Sequence, residues 1–182
     1  MQQSHNRVIF ITTTAVIAAL YTALTICLAP ISFGLVQCRV SELLTILAAY
    51  TPAAVPGLIV GCMLSNLIGL TMGSNIAGAL DILLGTLATG VAAWLSWRWR
   101  GRRTLGLPVL STLPPVVTNA LIVGTELALV SPVFTLQVWS IQVGLVAAGQ
   151  AVACIGGGLL LAKVLEKTGA HRILDGKNRT NG

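Results

Sequence analysis

From Val8 to about Leu165 the chain is a succession of apolar runs, several about 20 residues long, separated by short joints marked by Pro30, Pro52, Pro108 and Pro132. A run of about 20 apolar residues matches the roughly 30 Å hydrocarbon core of a bilayer when it is helical. Charged residues make up only 9% of the chain and hydrophobic ones 55%, whereas a soluble domain carries about a quarter charged residues. The pattern predicts an all-α integral membrane protein with one membrane domain over residues 1–182 and no soluble domain. The first run, Val8 to Leu28 behind Arg7, exceeds the roughly 7–15 residues of a signal-peptide core, so it is expected to remain as a span. The four cysteines show neither CxxC spacing nor histidine partners and read as packing residues rather than metal or redox ligands.

Six transmembrane helices are predicted, at about 8–28, 39–51, 53–70, 77–97, 108–130 and 139–165, followed by a polar tail over 166–182. Pro56 falls in the first turns of the third, and Pro114 and Pro115 are expected to kink the fifth. Basic residues cluster at Arg7, at Arg98, Arg100, Arg102 and Arg103, and from Lys163 through Lys167, Arg172, Lys177 and Arg179. Lys and Arg are retained on the cytoplasmic side, so both termini are expected inside and the number of crossings is even. The second segment, as an α-helix of about 13 residues, reaches only about 20 Å; a re-entrant hairpin formed with the third would preserve the same parity. The RWRGRR loop reads as this topogenic signal, with Trp94, Trp97 and Trp99 as an interfacial belt beside membrane lipid. No aromatic interleaving or nucleic-acid motif accompanies it, so no nucleic-acid partner is expected.

Apart from Lys163 at the cytoplasmic end of the sixth, four charged residues fall inside the predicted spans: Arg39, Glu42, Asp81 and Glu126. With the orientation above all four lie in the outer half, together with Asn66, Gln137 and Gln142. Each charge at membrane depth costs on the order of 3 kcal/mol, so the set costs roughly 10 kcal/mol before pairing. Arg39 and Glu42, three apart, share a helix face and either brace each other or jointly meet a polar guest. A purely structural cluster is one reading, but three acids against one Arg leave carboxylates for a cationic or donor-rich ligand. No nucleotide-binding loop, HExxH or nucleophile elbow is present, and His5 and His171 lie in the flanks. The expectation is therefore a binding or transport protein without catalysis, cofactor or metal. Ala15, Ala19 and Ala23 repeat every four residues on the first helix and give a flat face suited to close helix approach, either within the bundle or against a partner subunit.

The segments QCRVSELLTIL, TPAAVPGLIVGCMLSNL, DILLGTLAT and NALIVGTEL resemble, in this order, the queuosine-precursor transporter (QueT) family, over about Ala15 to Lys167. The resemblance implies a six-helix substrate-binding S component of an energy-coupling factor (ECF) transporter in the bacterial plasma membrane. Such a component captures its ligand outside, docks through an alanine-rich first helix, here Ala15, Ala19 and Ala23, onto a coupling T component, and depends on two cytoplasmic ATPase subunits. The implied substrate is a deazaguanine precursor, aminomethylated or not. Glu42 or Glu126 would read its purine-like edge, Asp81 or the other Glu an ammonium, and Arg39, Asn66 or a Gln amide its carbonyl. Gln37, Ser41, Gln142 and Gln150 become supporting contacts. Phe33, Phe134 and above all Trp139 are candidates to stack on the ring, and the loop from Pro30 to Val36 is a candidate lid. Cys38 stands where the family pattern is usually aromatic, and Gln150 where many relatives carry Glu. This weakens the expectation of an aminomethyl cation and keeps queuine or another neutral deazapurine in play. The alternatives are a self-contained proton-coupled carrier using Asp81 or Glu126, an S component for a different small metabolite, and a structural membrane adaptor.

Overall fold

A computed structural model of the chain describes residues 2–34 and 37–174. Leu35 and Val36 of the candidate lid lie outside the described residues, as do Lys177 and Arg179 of the basic tail. Among the described residues the only regular elements are helices: α1 (Gln2–Cys27), α2 (Ala29–Ser32), a 3-10 helix (Val40–Ala49), α3 (Ala54–Thr71), α4 (Leu80–Arg98), a 3-10 turn (Val109–Thr112), α5 (Leu113–Leu129), α6 (Leu136–Gln150), a π-helical segment (Ala151–Gly157), α7 (Gly158–Thr168) and α8 (His171–Leu174).

Five helices are long and apolar enough to cross a membrane: Gln3–Cys27, Ala54–Thr71, Leu80–Arg98, Val109–Leu129 and Leu136–Thr168. They agree with five of the predicted spans to within a few residues, apart from the first, which begins before residue 8. The bundle shelters its charged side chains inside, among apolar clusters, and exposes large apolar side chains outside. Asp81, Glu42 and Glu126 are at most 1% exposed, while Leu83, Val152 and Leu160 are 65% or more exposed. That inversion suits a hydrocarbon surround, where exposed leucine costs nothing and an interior charge needs partners.

The long helices neighbour one another in the order α1, α3, α4, α5, α6, and the 3-10 helix packs inside against α1, α3, α4, α7 and the π segment. Eight of its ten residues, from Ser41 to Ala49 with Leu43 excepted, are buried. The expectation of an α-helix over 39–51 is corrected here. A 3-10 helix is narrower than an α-helix and rises about 2.0 Å per residue, so the same ten residues reach further along the bundle axis. Thr45 Oγ1 supports the tighter winding by donating to the Glu42 carbonyl oxygen at 2.6 Å.

Pro114 and Pro115, expected to kink the fifth helix, fall where a 3-10 turn gives way to α5. Both sit in the first turn of α5, just after the 3-10 turn, where proline's missing N–H has no intrahelical acceptor to lose. A further departure from α-geometry falls in the last long helix, where α6, the π segment and α7 run on as one 33-residue helix. Its length of about 50 Å exceeds a hydrocarbon core, so its ends extend beyond it. At one end Thr135 Oγ1 caps the Val138 N–H at 3.1 Å; at the other Gly169 closes the helix in the left-handed conformation, φ 73°.

Candidate functional site

Several interior polar residues form a bonded network around the head of the 3-10 helix. Arg39 precedes that helix in an extended conformation, φ −79° and ψ 94°, so it does not share a helical face with Glu42. Its guanidinium reaches across to α4, where Nη2 lies 2.9 Å from Asp81 Oδ2. Nη1 donates to Cys62 Sγ at 3.4 Å, and the guanidinium carbon stands 5.4 Å from the centre of the Phe33 ring. The same Asp81 oxygen accepts from Asn75 Nδ2 at 2.9 Å, and the Asp81 main-chain oxygen accepts from Asn66 Nδ2 at 2.6 Å. Gly85, one turn on, is required by this packing, since a β-carbon there would stand 2.0 Å from Asp81 Oδ1 and 3.0 Å from Asn66 Nδ2.

Glu42 is held by different partners. Its Oε1 accepts from the Tyr21 hydroxyl at 2.6 Å and the Thr89 hydroxyl at 2.7 Å. One helical turn along α1 from Tyr21, Thr25 Oγ1 lies 2.6 Å from Ser41 Oγ, so α1 grips the 3-10 helix at two adjacent residues. On the other side Cys154 Sγ donates toward the Glu42 carbonyl at 3.6 Å and toward Gln150 Oε1 at 3.3 Å. Gln150 ends α6 at the start of the π segment, a departure from α-geometry of the kind that often marks functional positions.

A second feature separates this interior from an ordinary core. Gln37 Nε2, Arg39 Nε, Glu42 Oε2, Asn66 Oδ1 and Asp81 Oδ1 are buried without a hydrogen-bond partner, as are Asn119 Nδ2, both carboxylate oxygens of Glu126 and Gln142 Oε1. Each such atom costs about 1–3 kcal/mol, and a native chain tolerates only a few. Glu126, 1% exposed, lies within electrostatic range of Asp81 and Arg39. Gln37, 2% exposed, is one of two non-glycine residues with positive φ among the described residues, at 44°. A glutamine held in the left-handed region beside a polar interior is the kind of strain that accompanies binding sites.

Of the residues expected from the sequence, Arg39, Asn66 and Asp81 join one bonded network, which Glu42 enters through Thr89 and Cys62. Glu126 and Gln37 are buried with free polar atoms, and Gln150 is buried behind Glu42. Trp139 stands apart from that network, its indole N–H donated to Thr125 Oγ1 at 2.9 Å. Phe134 is exposed, whereas Phe33 is 1% exposed and lies against Arg39. Sequence reasoning missed Tyr21, Asn75, Thr89 and Asn119, and it read Cys62 as packing although its sulfur accepts from Arg39. Asn119 had a legible signal, standing seven residues before Glu126 and so on the same helical face. Tyr21 and Thr89 had none, because their role depends on which helices meet.

Ala15, Ala19 and Ala23 are all exposed, while Ile17, Ala18, Tyr21 and Thr25 form the buried face of α1. The flat stripe is therefore not used within the bundle.

A protein-family comparison matches residues 11–167 to the family described as QueT transporter. The queuosine precursor transporter QueT of Lactococcus lactis subsp. cremoris (strain MG1363) is 40% identical over 76 residues, which are 41% of this chain and 45% of that protein. The match thus spans less than half the length of that curated relative. No solved structure matches.

Proposed function

The chain belongs to the QueT transporter family, and from that membership we propose that it is the S component of an ECF uptake transporter that captures a queuosine precursor. As a family member with several membrane-length apolar helices it is a multi-pass membrane transporter rather than an enzyme. The observation that carries the finer reading is the cluster of buried, unpartnered donors and acceptors inside the bundle. It favours a flat, hydrogen-bond-rich guest over an apolar one. The ligand class is a deazapurine, aminomethylated or not, bound among Arg39, Glu42, Asn66, Asp81 and Glu126, with Gln37, Gln142 and Gln150 as supporting amides and Trp139 at the edge. Phe33 offers a buried ring face beside Arg39.

The proposed topology has six crossings in a single membrane domain over residues 1–182 of the bacterial plasma membrane, with both termini cytoplasmic. As a 3-10 helix, Val40–Ala49 reaches about 20 Å, further than the roughly 15 Å the same ten residues span as an α-helix. That greater reach toward the hydrocarbon core and its place within the bundle are what favour a crossing by the short segment. The exposed Ala15, Ala19 and Ala23 stripe supports docking of α1 onto a coupling T component that works with two ATPase subunits.

The test is calorimetric titration of the purified full-length chain with queuine and with aminomethyl-deazaguanine, alongside native mass spectrometry for retained ligand. Saturable binding of at least one is expected, and no binding of any deazapurine overturns the reading. Uptake that persists in cells lacking the coupling ATPases would replace the S-component mechanism with a self-contained carrier.

A further inference from the structure

The sequence leaves open which interior carboxylate reads the ligand's ring edge, and hydrogen-bond counting in the structure separates them. This inference rests on the deazapurine reading of the site. A deazaguanine-type edge presents two N–H donors on neighbouring atoms, and two parallel bonds to one carboxylate need both of its oxygens free and side by side. Glu42 does not offer that. Its Oε1 already accepts from Tyr21 and Thr89, one hydroxyl for each lone pair, leaving Oε2 alone. Asp81 does not offer it either. Its Oδ2 accepts from Arg39 and Asn75, and its Oδ1 lies in the space that Gly85 leaves open on the same helix.

Glu126 differs from both. It is 1% exposed, and both oxygens lack partners. Beside it Gly124 allows α6 to approach so closely that a β-carbon would stand 2.7 Å from the Val143 Cα. On α6, next to Val143, Gln142 Oε1 is a further buried acceptor without a partner. Together Glu126 and Gln142 supply three unpartnered acceptors, equal in number to the N–H groups of a ring amide and its adjoining exocyclic amine.

We infer that Glu126 is the specificity-determining carboxylate, taking the paired N–H donors of the ligand edge in a two-point contact, while Glu42 makes a single contact through Oε2. Asp81 serves as the counter-charge that fixes Arg39. The ligand's exocyclic amine is then the group this chain selects for, and its loss leaves a Glu126 oxygen and Gln142 buried and unpaired.

The experiment titrates the full-length protein with a 2-amino deazapurine (7-deazaguanine type) and its 2-desamino counterpart. The wild type is expected to prefer the 2-amino ligand by about a hundredfold, as loss of hydrogen bonds to a buried carboxylate implies. In Glu126→Gln, which presents one acceptor and one donor, that preference falls below about tenfold, whereas Glu126→Asp keeps part of it. Glu42→Gln weakens both ligands by a similar factor and keeps the preference. Equal binding of the two ligands by the wild type overturns the assignment without recourse to any variant, and so does an unchanged preference in a folded Glu126→Gln protein. If the wild type binds neither ligand, the functional reading of the site fails and this assignment with it.

Discussion

Replacing Arg39 by Met tests whether the interior is built around a charge pair. Arg39 Nη2 and Asp81 Oδ2 are 2.9 Å apart with side chains 4% and 0% exposed. At an effective dielectric constant of about 20, two unit charges at that distance attract by about 6 kcal/mol. Part of this offsets the desolvation of the guanidinium, so removing Arg39 also removes a cost. What remains is Asp81 buried at 0% exposure with Asn75 as its side-chain donor. Breaking a buried pair from one side costs about 3–5 kcal/mol, and for a chain of this size each kcal/mol lowers the melting temperature by about 2–4 °C. Arg39→Met should therefore melt roughly 10 °C below the wild type when followed by helical circular dichroism in detergent. The double variant Arg39→Met, Asp81→Asn removes both charges and should recover most of that loss. Labelling of the buried Cys62 and Cys154 by a thiol reagent during heating gives an independent readout of the same opening. A single variant melting within about 2 °C of the wild type, or a double variant no more stable than the single, refutes the reasoning.

Three further outcomes follow from particular contacts. Gly69→Ala places a β-carbon 2.6 Å from the Phe33 ring; displacement of that ring from beneath Arg39 should cost about 1–3 kcal/mol and weaken ligand binding in the same titration. Ala19→Leu alters an exposed position, so melting and ligand affinity should stay at wild-type values while co-purification with the proposed coupling subunit and cellular uptake are lost. Arg103→Ala breaks the ion pair with Glu166, whose side chains are 39% and 26% exposed. Its effect should stay below about 1 kcal/mol, and the difference from wild type should shrink further in high salt.

The membrane character of the chain, its long helices and its short list of interior ionisable residues were legible in the sequence, because hydropathy over about 20 residues is a local sum that needs no knowledge of the fold. The same locality is why Arg39, Glu42, Asp81 and Glu126 stood out against their surroundings: a charge at membrane depth is costly wherever its helix goes. Their partners were another matter. Spacing favoured Arg39 with Glu42, three residues away, yet Arg39 pairs with Asp81, 42 positions on, and Glu42 is held by Tyr21 and Thr89 from two other helices. Those choices depend on how closely α1, α3 and α4 approach the 3-10 helix, and on Gly85 leaving room for a carboxylate. The winding of residues 40–49 was likewise decided by the space inside the bundle, since the composition of VSELLTILAA suits an α-helix equally well. The sequence by itself determined which residues must be sheltered from lipid. Tertiary packing alone decided which of their oxygens and nitrogens are consumed in holding the bundle together and which are left without a partner.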